Sequence, residues 1–260
     1  MRKGEIAGPR GSLHYALSGR VHAPTLVLLH PLGADLSVFD PVLPELERFF
    51  AVLRIDLAGH GGSRSSGAAS MAEFAVDVLA VCDALGIQRA HVCGISLGGA
   101  IALELASAHS ARVHRLVLAN TAPSFPDAEG WDQRIRSVRE QGMSPVTEAM
   151  PARWFTPEFR AQHGELIEAL ATRMRQVKPD AYAAACEALK VFDGRETLSQ
   201  LRLPVLVLAG ARDGVTTAEQ AESWSQQIPG ADVVVLDAGH LAVMEQPADF
   251  AAALIDFLRE

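Results

Sequence analysis

Cysteine is scarce in this 260-residue chain: Cys82, Cys93 and Cys186 are the three present, widely spaced and without a Cys-x-x-Cys pair. An odd, scattered set excludes both a disulfide framework and a thiolate metal site. Long apolar runs are missing as well. No stretch approaches the roughly 18 apolar residues of a membrane span. The opening residues "MRKGEIAGPRGSLHYALSG" hold no apolar secretory core, so the cytoplasm is the expected compartment. Positive charge is in deficit, with 23 Lys and Arg against 31 Asp and Glu and a formal charge of −8. Nucleic acid and anionic membrane both select for clustered Lys and Arg, so neither is expected as the main partner. A small molecule fits better, and the pattern leaves self-association into a homo-oligomer open. Repeats, low-complexity tracts and linkers are also lacking, and a hydrophobic fraction of 49% is enough for one sizeable core.

What the chain does have is alternation. "TLVLLH" (25–30), "AVLRID" (51–56), "AHVCGI" (90–95), "RLVLAN" (115–120), "PVLVLAG" (204–210) and "ADVVVLD" (231–237) are short and rich in Val and Leu, as doubly buried parallel strands are. Helical patterns separate them. In "SMAEFAVDVLAVCDALG", Ser70 and Glu73 have capping-box spacing, Phe74, Val78, Cys82 and Leu85 form an apolar stripe, and Gly86 ends it. Thr216 and Glu219 have the same spacing before a later helix. Parallel strands need crossover connections, so the reading is α/β: a mostly parallel, doubly wound sheet with helices on both faces. Between about Ala122 and Lys190 the strands stop and breakers such as Pro126, Gly142, Pro157 and Pro179 punctuate helical patterns. This block is expected to be a helical cap (122–190) inserted in a core made of 1–121 and 191–260. Nine basic and ten acidic residues leave the cap nearly neutral, so it is the expected place for a counter-charge to an anionic substrate.

One motif carries chemistry. "HVCGISLGGA" (91–100) places Ser96 in Gly-x-Ser-x-Gly between a strand and a helix, the setting of a nucleophile elbow, and side chains at Gly94 or Gly98 would collide with the flanking elements. The competing reading is a helix N-cap serine. A serine hydroxyl needs a base oriented by an acid. Of nine histidines, His240 in "LDAGHLAVMEQP" follows the last strand and heads the final helical region, facing the carboxyl edge of the sheet, although a structural histidine there is the alternative. Asp213, in "LAGARDGVTT", ends a strand on the same edge, with Asp193 and Asp237 as competitors. An oxyanion would need two N–H donors. Leu97, after Ser96, supplies one, and in the turn "HPLGAD" Pro31 has none to give, so Leu32 supplies the other with Gly33 keeping the turn open. His30 could buttress that turn or pack at the strand end.

The segments "HPLG", "DLAGHGGS", "CGISLGG", "GARD" and "AGHLAVMEQP" resemble the α/β-hydrolase family across essentially the whole chain, in which Ser, Asp and His follow in this order. More narrowly, "DALGIQRAHVCGISLGG", "RVHRLVLANTAP", "RIRSVREQGM" and "ARWFTPEFR" are similar to beta-ketoadipate enol-lactonases, which read "NSLG" where this chain has "HPLG". That resemblance implies hydrolysis of a carboxylated enol-lactone to 3-oxoadipate by Ser96, His240 and Asp213, with no cofactor and no metal. The substrate's second carboxylate implies a cation, and Arg134 and Arg153 are the candidates, with Trp131 and Trp154 as pocket walls and His30 counted among the substrate-binding residues. For each of the arginines and tryptophans, a solvated or packed structural role competes. A general carboxylesterase, another lactonase, or a ligand receptor that keeps the triad are the alternative functions. A metal-dependent lactonase would need a His-x-His-x-Asp-His cluster, which the sequence lacks, and a dehalogenase or epoxide hydrolase would have Asp in place of Ser96.

Overall fold

The computed structural model describes residues 1–65 and 70–259. Strands β1 (Arg2–Gly8), β2 (Gly11–Gly19), β3 (Thr25–Leu29), β4 (Ala51–Ile55), β5 (Arg64–Ser65), β6 (Ala90–Ile95), β7 (Val113–Ala119), β8 (Val205–Gly210) and β9 (Asp232–Leu236) form one sheet. Its order is β1-β2-β4-β3-β6-β7-β8-β9, with β5 paired to β2. From β4 to β9 every neighbouring pair is parallel. The two antiparallel strands at the start were absent from the strands expected above. Residues 2–19 form a hairpin in which Gly8 faces Gly11 across a two-residue loop, and Ile6 faces Leu13. Charged and small residues on its exposed face had hidden the alternation of Leu13 and Tyr15, which point inward.

Strand pleating sends alternate residues to opposite faces and so builds two cores. Val27, Leu29, Val92, Leu116, Leu118, Val205 and Val207 enter one. Leu26, Leu28, Cys93, Ile95, Val117, Leu206 and Leu208 enter the other. The first face is covered by α2 (Met71–Ala84), α3 (Leu97–Ala108) and α10 (Ala218–Ser225), and the second by the short α1 (Leu43–Leu46), α11 (Ala242–Glu245) and the amphipathic α12 (Pro247–Arg259). Ser70 caps α2, its Oγ accepting from Glu73 N at 3.2 Å, and Gly86 leaves it at φ +73°. The second expected cap is displaced by one residue: Thr217 and Gln220 form the capping box of α10, which leaves Thr216 for another task.

Between β7 and β8 lie α4 (Ala128–Gln141), α5 (Ser144–Trp154), α6 (Pro157–Gln162), α7 (Gly164–Met174) and α8 (Pro179–Val191), followed by the single turn α9 (Arg195–Leu198). Helices α4 and α8 pack through Ile135, Val138, Ala185 and Leu189 into the first core, while α5 and α7 reach the second through Met150, Leu170 and Met174. The helical block is thus continuous with both layers beneath it.

Candidate active site

The chain reverses its direction of travel across the sheet between β3 and β6, and in open α/β sheets ligands bind at the carboxyl ends of strands beside such a switch point. Leu32 follows β3, Ser96 follows β6, Asn120 follows β7, Asp213 follows β8 and His240 follows β9, so five adjacent strand ends present these residues in spatial order along one edge.

Ser96 sits at φ 54° and ψ −114°, outside the regions a non-glycine residue ordinarily adopts. Such a residue costs on the order of 1–3 kcal/mol and persists only where its surroundings fix it. Here they do. Its N–H donates to Ala119 O at 3.1 Å, and its carbonyl accepts from Gly99 N, Ala100 N and the Thr121 hydroxyl at 2.9, 3.0 and 2.8 Å. A Cβ at Gly94 would run into the Gly98 carbonyl, and one at Gly98 into the backbone of Leu29. The Ser96 side chain caps no backbone N–H of α3, which removes the support for an N-cap role.

Asp213 and His240 are both buried and joined by a 2.8 Å contact between Oδ2 and Nδ1. The rest of the carboxylate is also engaged: Oδ1 accepts from Val215 N (2.7 Å) and Thr216 N (3.0 Å), Oδ2 from the Thr216 hydroxyl (2.8 Å) and Asn120 Nδ2 (3.1 Å). Burial pushes this acid up, but the His240 charge and hydrogen bond together with the Thr216 and Val215 donors outweigh it and bring it down to about 2. It is ionised throughout the neutral range. The competing acids stand apart: Asp193 pairs with Arg195, and Asp237 with Arg212 at the surface.

In the turn after β3, Pro31 O accepts from Ala34 N at 3.2 Å, and Gly33 has φ +83°. Neither Leu32 N nor Leu97 N donates to a group among the described residues, so both are available to an oxyanion. His30 lies beneath the turn and has no exposed surface. Its Nε2 accepts from Leu57 N at 2.9 Å, which fixes the tautomer in which Nδ1–H donates to Pro31 O at 2.8 Å. With both nitrogens occupied by backbone, His30 is a buttress of the turn and has no atom left for substrate, contrary to its place among the expected substrate-binding residues. Burial holds it in the neutral form.

The four cap residues fall into two groups. Trp154 is nearly buried, with its ring 6.1 Å from that of His240. Arg134 lies 4.9 Å over the Trp131 ring, and its charge acts on the buried Tyr182, whose ring edge approaches Gly33. The Trp131 indole itself donates to Phe125 O at 3.1 Å and packs edge-on against Phe125, a structural position one layer away from the triad. Arg153 is close enough to Arg134 that partial burial and that second guanidinium together lower its pKa. Neither arginine has a carboxylate partner among the described residues. The Asp127 charge acts on Arg153 in the opposite sense, and no ion pair joins it to either arginine among the described residues.

Several participants went unnoticed in the sequence. Thr216 and Asn120 hold the Asp213 carboxylate, and Thr121 holds the Ser96 carbonyl, from the same edge. Glu245, at the end of α11, accepts from Gly239 N (3.0 Å), Thr156 N (3.2 Å) and the Thr156 hydroxyl (2.6 Å), tying the cap segment 154–156 to the loop that carries His240. Its only sequence signal was its place in "AGHLAVMEQP".

The sequence profile of the alpha/beta hydrolase fold matches residues 24–247. The chain belongs to that family. Among relatives of this hydrolase, 3-oxoadipate enol-lactonase 2 of Acinetobacter baylyi is 35% identical over 244 residues, covering 94% of this chain and 91% of the relative. The crystal structure of an enol-lactonase from Burkholderia xenovorans superposes with a TM-score of 0.96 at 34% identity, covering 99% of this hydrolase and the whole of that chain. A thermophilic esterase from Thermogutta terrifontis, solved with malate bound, gives 0.92 at 28% identity, covering 100% of this chain and 98% of the other. No helix among the described residues is long and apolar enough to cross a membrane.

Proposed function

We propose that this hydrolase opens a carboxylated enol-lactone, 3-oxoadipate enol-lactone, to 3-oxoadipate. Lactone or ester hydrolysis is the activity that relatives such as the enol-lactonases and the esterase carry in their names. The observation that supports the finer reading is the pair Arg134 and Arg153, in no ion pair among the described residues, whose charges both act on Tyr182 at the edge of the Leu32 turn. Ser96 Oγ attacks the lactone carbonyl while His240 Nε2 takes its proton, and the Leu32 and Leu97 N–H groups hold the resulting oxyanion. Collapse expels the enolate oxygen, which takes the proton from His240 and tautomerises to the ketone. Water then attacks the acyl-enzyme with His240 again as base, and Ser96 is released with the second carboxylate of the product. Asp213 stays ionised, keeps His240 in the Nδ1–H tautomer and stabilises its imidazolium.

On this reading residues 122–190 are the cap that supplies specificity, the core is 1–121 with 191–260, the substrate is a small anion met in the cytoplasm, and a homo-oligomer is compatible with it. Steady-state kinetics on a paired panel of carboxylated enol-lactones and neutral esters tests it. Ser96→Ala should abolish turnover of every substrate and block labelling by a serine-directed phosphonate. Arg134→Ala and Arg153→Ala should raise KM for the carboxylated lactone about tenfold or more and leave the neutral ester nearly unchanged. Equal effects on both substrates would replace the lactonase reading with a general esterase, and labelling without turnover would point to a receptor.

A further inference from the structure

Asn120 is a polar side chain of the active-site edge that the reaction above does not use. It is buried, it follows β7, and it has φ +41°, a conformation that Asn and Asp tolerate better than other side chains. Its amide nitrogen makes two contacts at once: 3.1 Å to Asp213 Oδ2 and 3.3 Å to Gly239 O. Oδ2 is the same oxygen that meets His240 Nδ1, and Gly239 is the residue before His240. The amide oxygen of Asn120 has no hydrogen-bond partner among the described residues. A buried polar group left half satisfied in an uncommon backbone conformation is disfavoured for stability alone, and such features gather where function selects them.

From this arrangement we infer that Asn120 is a positioning residue of the catalytic machinery, which sets the distance between the Asp213 carboxylate and the backbone of His240. One NH2 group spans the two loops. One hydrogen meets Oδ2 and the other the Gly239 carbonyl, so that the imidazole meets the carboxylate in one orientation. Asn120 N–H donates to Leu208 O at 2.8 Å, which anchors the amide to β8, the strand that leads to Asp213. The titratable groups facing the amide are Asp213 and, through it, His240, with the Thr216 hydroxyl as the remaining polar side chain on that carboxylate. The inference rests on the serine-hydrolase reading of the site.

Two variants separate positioning from a purely structural role. Asn120→Gly retains the positive φ without steric cost and removes both bonds. It should lower kcat about tenfold or more while KM stays within about twofold, because a bond to an ionised carboxylate is lost and the pocket is untouched. Asn120→Asp keeps the shape and the tolerance for positive φ but sets a second carboxyl against Asp213, which raises the pKa of the pair. While protonated, the new carboxyl donates to Oδ2 as the amide did, and once ionised it repels it. The ratio of variant to parent kcat should therefore be highest at the acid end of the profile and fall as pH rises, a descending limb that the parent and Asn120→Gly lack. A kcat of Asn120→Gly within about twofold of the parent overturns the inference, and so does an Asn120→Asp profile parallel to the parent's. Should the glycine variant not fold, the aspartate profile decides alone. Ser96→Ala in the same series keeps the two readings apart: residual turnover there defeats the serine mechanism, whereas an inactive Ser96→Ala beside an unaffected Asn120→Gly defeats only the role of Asn120.

Discussion

Replacing His60 with Asn should make the protein less sensitive to acid. His60 has no exposed surface, its Nδ1–H donates to Ala58 O at 3.0 Å, and its Nε2 has no partner among the described residues. Its ring lies 5.4 Å from that of His30, beneath the turn that carries Leu32. Burial first, and the neighbouring His30 second, depress its pKa from 6.5 to about 3. The folded protein thus holds the neutral ring, while the unfolded chain binds a proton near pH 6.5. Stability from this group is whole above that value and is lost as pH falls from 6.5 toward 3. Integrating the linkage from pH 7 to pH 5 gives a loss of about 2 kcal/mol for one such histidine. His30, also depressed by burial, contributes in the same direction and is unchanged in the variant. Asparagine can keep the bond to Ala58 O, so the cost at pH 7 is mainly the cavity, about 1–3 kcal/mol. Urea unfolding at pH 7, 6 and 5 reads both quantities. The parent should lose about 2 kcal/mol more than His60→Asn over that range. Equal losses would show that His60 is protonated in the folded state or leaves its site before the rest unfolds, and would refute the reasoning.

Gly98→Ala should fail to accumulate as folded protein, because its Cβ would enter the backbone of Leu29 in a central strand with no side chain free to move away; soluble yield and circular dichroism report it. Thr216→Val removes one hydroxyl from the Asp213 carboxylate and should cost about 1–3 kcal/mol of stability, with a drop in kcat and little change in KM. Glu245→Gln replaces an acceptor of several N–H and O–H groups with a side chain that must present an NH2 to one of them, so kcat for every substrate should fall, together with the melting temperature.

Much of the core was legible because burial on both faces leaves its mark in composition: β3, β4, β6 and β8 are wholly or nearly wholly buried and read as short apolar runs, interrupted by Arg54 in β4 and His91 in β6. Ser96 was legible because close approach of backbone demands Gly94 and Gly98 around it. The supporting residues were not, since their roles arise from sheet order. Asn120 meets Asp213 only because β7 lies between β6 and β8, and nothing local in "LANTAP" encodes that neighbour. Thr216 was read as a helix cap because Thr217 beside it offers the same chemistry, and a shift of one residue moved the hydroxyl to the triad. His30 was placed with the substrate-binding residues for its position in the turn. Its role was decided by Leu57, at the end of a strand 27 residues on, which occupies the ring nitrogen from below.

The Glu245 carboxylate gives residues 154–156 and the loop that carries His240 a common hinge pin. Trp154 O accepts from Leu241 N, Thr156 hangs from Glu245, and Gly239 is held by the same side chain, so a roof segment and the His240 loop shift together or not at all. A substitution that displaces residues 154–156 therefore displaces the loop that carries His240 as well. Helix α4, which carries Arg134 and packs with α8 into the first core, shares none of these contacts, so a change there leaves the His240 loop where it is, whereas Arg153 stands beside Trp154 on α5.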